Sequence, residues 1–273
     1  MTGDAPFLVR PPRAAEVPLL VSIPHTGTEV PDELRRRFAD PAVAALPDTD
    51  WHLHELYDFV PDLGATTLFA RFSRYVVDLN RPSTGARLYP GKAETELVPT
   101  RTFAGAPIYR AGDEPDADEV AARVARFWQP YHDALSAELE RIRARFGYAL
   151  LFDAHSIVGF VPRLHPTPLP DLMLGDVDGA SCASAISAAV YEVQRRSGYH
   201  AERNFRFKGG HITRAYGAPA QRVHALQLEM SQRIYMDESP PSPIDPVRAA
   251  RLRPVLRDTL LAFVGAAAEQ GAT

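Results

Sequence analysis

Short apolar runs alternate along the chain with longer segments in which apolar residues recur every three or four positions. Runs of about four to eight apolar or β-branched residues between turn-forming residues are typical of strands, whereas the wider spacing is typical of helices. The pattern therefore predicts strands over residues 18–25, 65–72, 74–80, 148–155 and 223–230. It predicts helices over residues 49–64, 118–146, 181–198 and 245–269.

Prolines, glycines and serines mark the kinks and ends of these predicted elements. Pro130 lies inside the second helix and Pro254 inside the last one, and each is expected to kink its helix because proline has no N–H group to donate. Ser181 is a typical helix-capping residue, and Gly198 is typical of the end of the helix that follows it. Residues 82–117 contain many prolines and glycines and are predicted to form a long loop, which inside a compact domain often carries function.

Strands and helices interleave along the whole chain, and the strands are short and largely apolar. Such alternation is typical of an α/β domain whose sheet is covered by helices. We therefore expect residues 1–273 to form a single three-layer α/β domain with a twisted, mixed and mostly parallel sheet between helices. The composition shows no break that marks a second domain.

The composition argues against several classes of protein. Of the 273 residues, 45% are hydrophobic and 23% are charged, as in ordinary soluble globular proteins. A net charge of -4 argues against a broad surface for nucleic acid, and the single cysteine, Cys182, excludes an internal disulfide framework and a thiolate-rich zinc site. No apolar run approaches the roughly 20 residues of a membrane helix, and the N-terminus lacks the apolar core of a signal peptide. We therefore expect a cytoplasmic protein that binds neither nucleic acid nor membrane; its oligomeric state stays open.

Polar side chains stand at the ends of three predicted strands. His25 ends the first strand, Asp153 and His155 end the fourth, and Glu229 comes near the end of the last. In open α/β sheets, ligands bind beyond the carboxyl ends of strands, so we expect these side chains to meet at one edge. Asp153, two residues before His155, is placed to orient an imidazole. The simpler alternatives are that Asp153 caps a helix and that Glu229 pairs with an arginine.

Two imidazoles and several carboxylates at one edge of a sheet indicate a metal site. Catalytic zinc commonly takes three nitrogen or oxygen ligands from the protein and keeps one position for water. His25 and His155 supply the nitrogens in this interpretation. Asp50 is the preferred third ligand, with Asp48 and His52 as alternatives. We expect a divalent metal ion, with Zn²⁺ as the first choice.

The stretch SRYVVDLNRP (73–82) places Arg74, Asn80 and Arg81 around a short predicted strand. An arginine beside an asparagine makes a good carboxylate receptor, because the guanidinium offers two parallel hydrogen bonds and the amide adds a donor. The alternative is an ordinary turn in which Asn80 supplies the turn geometry.

The stretch FRFKGGHITRAYGAP (205–219) is basic and rich in glycine. Lys208 and Arg214, together with the Gly209-Gly210 pair, predict an anion-binding loop, since glycines let backbone N–H groups approach a ligand. The spacing of a Walker loop is absent. A solvated surface hairpin is the alternative.

Seven motifs together resemble those of N-formylglutamate amidohydrolases, also called N-formylglutamate deformylases. They extend over about residues 18–240 and are SIPHTGTEVP, LPDTDWHLHELYDF, SRYVVDLNRP, LYPGKAETELVPT, LLFDAHSI, RFKGGHITRAYGAP and HALQLEMSQRIYMDE. The resemblance implies hydrolysis of N-formyl-L-glutamate to L-glutamate and formate, the last step of a histidine-degradation route. It also implies a fold similar to that of zinc-dependent exopeptidases.

The stretch SRYVVDLNR is similar, in addition, to a stretch of aspartoacylases and succinylglutamate desuccinylases. That similarity implies that Arg74 stabilises the oxyanion of the reaction and that Asn80 with Arg81 binds a substrate carboxylate. It implies that Glu229 is the general base. The substrate implied by the resemblance has two carboxylates, which match the two basic clusters, Asn80-Arg81 and Lys208-Arg214.

One departure from those relatives concerns the metal. They hold zinc with an H-x-x-E motif, whereas the third residue after His25 is Thr28. The carboxylate ligand that the motif supplies therefore has to be reassigned, and Asp50 takes its place. Two other functions stay open. One is hydrolysis of other N-acyl acidic amino acids or small peptides, and the other is binding of a dicarboxylate without turnover. Glu229 argues against the second, because an anion receptor has no use for a carboxylate at that position.

Overall fold

The computed structural model describes residues 5–88, 91, 94–238 and 241–271, and within them the chain forms nine strands and eight α-helices. The strands are β1 (Phe7–Arg10), β2 (Leu19–Ile23), β3 (Thr66–Ala70), β4 (Ala149–Ile157), β5 (Leu172–Gly175), β6 (Ala201–Arg203), β7 (Val223–Ser231), β8 (Met236–Glu238) and β9 (Pro241–Ile244). The helices are α1 (Asp32–Arg35), α2 (Pro41–Ala44), α3 (Leu53–Leu56), α4 (Ala117–Arg123), α5 (Gln129–Phe146), α6 (Ser184–Arg196), α7 (His211–Tyr216) and α8 (Pro246–Gly271).

Seven of these strands form one sheet in the order β1-β3-β2-β4-β7-β5-β6. Strands β3, β2, β4 and β7 run parallel to one another, and β6 runs parallel to β5. Only the β1–β3 and β5–β7 pairs of this sheet are antiparallel. The predicted α/β class with a mixed, mostly parallel sheet is confirmed.

Helices pack on both faces of the sheet because its central strands are apolar on both sides. All nine residues of β4 are buried. Leu150 and Phe152 pack in one core cluster with residues of α6 and α8, whereas Ala149 and Leu151 pack in a second cluster with residues of α5. Burial of each large apolar side chain stabilises the fold by about 1.5–3 kcal/mol. The two clusters are the two interfaces of a three-layer domain.

The sheet topology brings three strand ends to one edge. Strands β2, β4 and β7 are adjacent and parallel, so their carboxyl ends point the same way. The register pairs Ser22 with Asp153 and His155 with Glu229. His155 and Glu229 lie within the last residues of their strands rather than beyond them, because β4 and β7 continue to Ile157 and Ser231.

Residues 74–80 were predicted to form a strand, but they form turns. The Val76 N–H donates to the Ser73 carbonyl at 2.9 Å, and the Asp78 carboxylate accepts from the Asn80 N–H at 2.9 Å. A short polar side chain that bonds its own backbone competes with a strand ladder. Tyr75 and Val77 are buried within the turns. The apolar pattern therefore indicated correctly that these residues are buried, but it did not indicate that they form turns.

Two predicted helices differ from their observed forms. The helix predicted over 118–146 contains a π-helical turn, Val124–Trp128, between α4 and α5. Pro130 follows this turn; it cannot donate an α-helical hydrogen bond and would crowd the preceding turn, so the helix widens there. Ser181, predicted to cap a helix, instead donates its hydroxyl to the Ala225 carbonyl at 2.8 Å. Helix α6 therefore begins later than predicted, with no side-chain cap.

The helix predicted over residues 245–269 is confirmed as α8, whereas the helix predicted over residues 49–64 is formed only in part. Of residues 49–64, only α3 and the short 3₁₀ turn Val60–Leu63 are helical. Helix α8 continues through Pro254. Residues 82–117 lack helices and strands up to Asp116 within the described residues, as predicted, and Tyr89, Pro90, Lys92 and Ala93 of this loop lie outside them. Among the described helices, none has both the length and the apolar character that a membrane span requires.

Candidate active site

His25 follows β2 in a turn that packs against another backbone segment. A side chain at Gly27 would place its Cβ 2.4 Å from the Phe72 carbonyl oxygen, so only glycine fits at this position. The Asp50 N–H donates to the His25 carbonyl at 3.0 Å. This backbone bond holds Asp50 beside His25, although the two are distant in sequence.

His25, Asp50 and His155 form a buried cluster, which we call the metal group. The two Nδ1 atoms of His25 and His155 lie 3.2 Å apart. Asp50 Oδ2 lies 3.1 Å from His155 Nδ1 and 3.8 Å from His25 Nδ1. Three ligand atoms of the kinds that zinc binds therefore converge on one point.

The other nitrogen of each histidine is held by a carboxylate. His25 Nε2 lies 2.7 Å from Asp78 Oδ1, and His155 Nε2 lies 2.9 Å from Asp153 Oδ2. When Nε2 carries the proton and donates to these carboxylates, Nδ1 of each neutral ring presents a lone pair to the centre of the metal group. Metal-binding histidines commonly have such a carboxylate partner, which fixes their tautomer.

The charge and spacing of the metal group fit a divalent cation. Two nitrogens bound to one tetrahedral zinc ion stand about 3.3 Å apart, given bond lengths of about 2.0–2.1 Å, which is close to the separation observed. Three buried carboxylates surround the centre, those of Asp50, Asp78 and Asp153, and Arg74 is the guanidinium that contacts two of them. Asp50 Oδ1 has no hydrogen-bond partner among the described residues. A cation would offset this excess of buried negative charge.

The same charges shift the titration of the two histidines. Burial lowers the pKa of His155, but the charges and hydrogen bonds of Asp153 and Asp50 outweigh burial and raise it well above its ordinary value. Burial, with the nearby Arg74, lowers the pKa of His25. Burial opposes ionisation of Asp78, yet the neighbouring His25 and Arg74 hold its pKa well below the usual range.

Glu229 lies beside the metal group on the neighbouring strand. Its pairing with His155 puts the two side chains next to each other on one face of the sheet, and both line the same cavity. Burial raises the pKa of the Glu229 carboxyl to about 8, an effect that the charge of His155 opposes and that of Asp50 supports. A buried carboxylate with a raised pKa is suited to accept and return a proton near neutral pH.

Arg74 lies between two of the carboxylates and reaches the cavity. Its Nη2 donates to Asp78 Oδ2 at 2.9 Å, and its Nη1 lies 3.5 Å from Asp50 Oδ1. Its guanidinium also lies over the ring of Phe103, 4.8 Å from the ring centroid. These contacts fix a permanent positive charge at the wall of the cavity next to the metal group.

The cavity has a volume of about 60 Å³ and is lined by both polar and apolar groups. Besides Arg74, the arginines Arg81 and Arg206 line it. The apolar part of the lining consists of Phe103, Ile157, Leu164 and Phe207. A small, partly apolar cavity with three guanidinium groups fits a small anionic molecule.

Asn80 and Arg81 lie where the cavity meets the metal group. Asn80 Nδ2 donates to Asp153 Oδ2 at 3.3 Å, and its Oδ1 accepts from the Ile212 N–H at 2.8 Å. Arg81 donates from Nε and Nη2 to the carbonyl and hydroxyl of Thr95, at 2.8 and 2.9 Å. The structure therefore brings the predicted carboxylate receptor together with the metal group.

The second predicted basic cluster is not brought to the cavity. Lys208 pairs with Asp178 at 2.8 Å, and Arg214 donates from Nε to the Gly209 carbonyl at 2.9 Å. Neither side chain is among those that line the cavity. The basic residue of that stretch that does line it is Arg206, whose Nε donates to the Leu164 carbonyl at 2.9 Å.

The alternatives for the third metal ligand lie outside the metal group. Asp48 Oδ2 accepts from the Phe103 N–H at 2.8 Å, and burial raises the pKa of this carboxyl. His52 contacts Glu55 and the carbonyl of Ser242. Of the three residues considered, Asp50 is the one that lies with the two histidines.

Sequence reasoning missed Asp78 and Arg206. Asp78 contacts His25, Arg74 and Asn80 and so organises the whole site. A carboxylate inside the apolar run YVVDL was a signal for it, because an aspartate is rarely buried without partners. Arg206 lies two residues before Lys208, and no pattern in that stretch shows which cation faces the cavity.

Comparison with known proteins gives concordant results. The family model for N-formylglutamate amidohydrolase matches residues 17–236. A protein of Pseudomonas aeruginosa named N-formylglutamate deformylase is 49% identical over 249 residues, which cover 91% of this chain and 93% of that protein. A protein of the same name from Pseudomonas putida is 44% identical over 255 residues, which cover 93% of this chain and 95% of that protein.

A solved structure is also similar over the full length. The crystal structure of N-formylglutamate amidohydrolase from Ralstonia eutropha JMP134 aligns with a TM-score of 0.83 and 30% sequence identity. The alignment covers 98% of this chain and 100% of that one. The similarity in fold therefore extends over nearly the whole chain.

Proposed function

We propose that this chain, which belongs to the N-formylglutamate amidohydrolase family, hydrolyses N-formyl-L-glutamate to L-glutamate and formate with the help of a divalent metal ion. Family membership, the names of the similar Pseudomonas proteins and the site geometry all support the reaction. The observation that carries the mechanism is the convergence of His25, Asp50 and His155 beside Glu229.

The metal group would hold the ion, and zinc is the ion we propose. Two imidazole nitrogens and one carboxylate oxygen form a common ligand set of catalytic zinc. Bound there, zinc would supply a Lewis acid for the formyl carbonyl and would lower the pKa of a water molecule. Asp78 and Asp153 accept hydrogen bonds from the Nε2 atoms and so hold the two imidazoles in the orientation and tautomer that leave Nδ1 free for the ion.

Glu229 is the proposed general base. Its carboxylate lines the cavity next to His155, where it accepts a proton from the attacking water and later returns it to the leaving amine. A bound cation would lower the pKa of this carboxyl from the value of about 8 that burial produces, toward the range in which it is ionised at neutral pH.

Arg74 is the proposed electrophile for the oxyanion. Asp78 holds the guanidinium in a fixed orientation, and burial keeps it away from bulk water. A fixed buried charge stabilises a developing negative charge more than a mobile, hydrated one does, because it needs no reorganisation during the reaction. The ordered contacts of Arg74 therefore favour the transition state over the neutral formamide.

Asn80 and Arg81 form the proposed receptor for one substrate carboxylate, and we assign the second carboxylate to Arg206. Arg206 takes this role in place of Lys208 and Arg214, because it lines the cavity and they do not. Only 8% of its surface is exposed, so a bond to its guanidinium would be formed away from bulk water. Charged hydrogen bonds in such surroundings discriminate strongly against ligands that lack the matching group.

The choice of N-formylglutamate over other N-acyl acidic amino acids and small peptides rests on the family. The two similar Pseudomonas proteins are both named N-formylglutamate deformylase, and we propose the same substrate for this chain. The place of the reaction at the end of a histidine-degradation route is part of the same proposal and is supported by the family alone.

Formate release from N-formylglutamate tests the proposal when it is measured together with metal content. We expect one divalent ion per chain, loss of turnover on chelation, and recovery when zinc is added back. Release at a similar rate from N-acetylglutamate would support a broader hydrolase. Binding of L-glutamate by metal-loaded protein without any formate release would support a dicarboxylate-binding protein instead.

A further inference from the structure

Leu79, Asn80 and Arg81 form a segment that no strand ladder holds, and we call it the receptor segment. Its three consecutive backbone carbonyls each accept a hydrogen bond from another part of the chain. The Leu79 carbonyl accepts from His132 Nε2 at 2.8 Å, and the Arg81 carbonyl accepts from Trp128 Nε1 at 2.9 Å. The carbonyl between them, that of Asn80, accepts from the backbone N–H of residue 211 at 3.3 Å.

The two side-chain donors, Trp128 and His132, come from one helix and support each other. Their rings are stacked, with centroids 3.7 Å apart and an angle of 17° between the planes. Trp128 is the last residue of the π-helical turn that precedes Pro130, and His132 lies in the first turn of α5. The widened turn therefore ends where both rings reach the same neighbouring segment.

The hydrogen bonds of His132 fix which nitrogen faces the receptor segment. Its Nδ1 lies 2.9 Å from the Tyr216 hydroxyl, and the two rings are nearly parallel, with centroids 5.8 Å apart and 16° between the planes. Burial lowers the pKa of His132 to about 3, so the ring is neutral. The Leu79 carbonyl can only accept a hydrogen bond, so the single proton of the neutral ring is on Nε2 and points to that carbonyl.

We propose that Trp128 and His132 are positioning residues that fix the receptor segment in its carboxylate-binding conformation. The inference rests on the proposed function of Asn80 and Arg81. The two donors hold the carbonyls on either side of Asn80, so they restrict the backbone from which both receptor side chains project. Neither ring is among the groups that line the cavity, so they act through the receptor segment and not on the substrate.

The physical reason is preorganisation. A turn without a ladder has several accessible backbone conformations, and binding must otherwise restrict them at a cost in affinity. Holding the backbone in advance lowers that cost, whereas the metal group and Glu229 stay where the strands place them. Loss of a positioning donor should therefore weaken substrate binding more than it slows the chemical step.

Two ring-conserving variants test this. Trp128→Phe and His132→Phe keep an aromatic ring in the stack and remove the donor. We expect each to raise the KM for N-formylglutamate and the Kd for L-glutamate about tenfold, the effect of one lost hydrogen bond, with kcat and metal content within about twofold of the wild type. His132→Gln keeps a donor at the position of Nε2 and should restore KM toward the wild-type value.

Trp51→Phe is the matched control, because the indole N–H of Trp51 is buried and has no hydrogen-bond partner among the described residues. It should leave KM and Kd unchanged. The proposal is overturned if both Phe variants keep wild-type KM and Kd while only their thermal midpoint falls, or if Trp51→Phe shifts KM as much as they do. If the wild type releases no formate, the proposed function fails, and the glutamate Kd alone decides on the positioning role. If the wild type also binds no glutamate, both proposals fail.

Discussion

The metal group and the receptor segment lie at the same edge of the sheet but are held in different ways. The metal group has His155 inside β4 and His25 just after β2, and buried carboxylates bind both imidazoles. The receptor segment lies in turns and is held by neutral hydrogen bonds from α5, α7 and the π-helical turn. Strand ends and charges thus hold the groups proposed for the chemistry, and helices and loops hold the groups proposed for recognition.

This difference separates the expected effects of substitution. A change in the metal group breaks a buried network of charges, in which each loss leaves another charge without its partner. A change around the receptor segment removes one hydrogen bond and leaves the network of charges intact.

His155→Ala should have the largest effect. It removes one proposed metal ligand and leaves Asp153 without its imidazole partner, so we expect loss of the bound metal and a fall in kcat/KM of more than about 10³-fold. Metal analysis and formate release check this. His200→Ala is the control, because His200 is exposed and its ring contacts the carboxylate of Glu202, far from the metal group in the sheet order. Retained activity in the metal-free His155 variant would exclude the mechanism.

Glu229→Gln should have the next largest effect and should leave the metal in place. Glutamine has nearly the same shape but cannot accept the proton, so we expect turnover to fall by about 10²- to 10⁴-fold, with bound metal and KM close to those of the wild type. Steady-state kinetics with metal analysis measures this, and Glu202→Gln on the surface is the control. If the variant instead loses its metal, Glu229 is a ligand and not the base.

Arg206→Ala should act on recognition. N-formylglutamine has the size of N-formylglutamate but lacks the side-chain charge, and we expect it to be a poorer substrate of the wild type by roughly 10²-fold in kcat/KM. Arg206→Ala should narrow that gap, because it removes the proposed partner of the side-chain carboxylate. Arg81→Ala should harm both substrates about equally.

Arg214→Ala is the control for this comparison, since Arg214 does not line the cavity. It should preserve the gap between the two substrates. Equal rates for both substrates with the wild type would contradict recognition of two carboxylates. If Arg81→Ala closes the gap and Arg206→Ala does not, the two carboxylates bind the other way round.

The smallest predicted effect is on stability and concerns the pH dependence of His132. Its pKa is about 3 in the folded chain, because burial disfavours the charged ring, against an ordinary value of 6.5. Because the pKa is lower in the folded chain, the unfolded chain binds more protons as the pH falls. The contribution of a neutral His132 to the free energy of unfolding is therefore complete above about pH 6.5 and is lost as the pH falls toward 3. Between pH 7 and pH 5 this contribution falls by about 2 kcal/mol.

Urea unfolding at both pH values measures this loss. The wild type should lose about 2 kcal/mol more than His132→Gln does, since glutamine does not titrate. An equal loss in the two proteins would show that folding does not lower the pKa of His132. A neutral His132 ring that donates to the receptor segment would then be excluded.

The apolar and polar pattern of the sequence determined the class of fold and much of the metal group. Buried strands have a recognisable local pattern, and parallel strands must end at the same edge of a sheet. For this reason the positions of His25, His155 and Glu229 relative to one another follow from local features of the chain. The family predicted from the seven motifs is likewise confirmed.

Only the tertiary structure decided which residues complete the site. Asp78 meets His25 across 53 residues of sequence, and His132 meets Leu79 across the same separation. That Arg206 lines the cavity, and Lys208 and Arg214 do not, likewise depends on packing against a distant segment, since Arg206 donates to the Leu164 carbonyl. Side-chain direction in loops is set by such long-range contacts and has no short period in the sequence. The side chains at the strand ends could therefore be predicted from the sequence, whereas the side chains that orient them by hydrogen bonds could not.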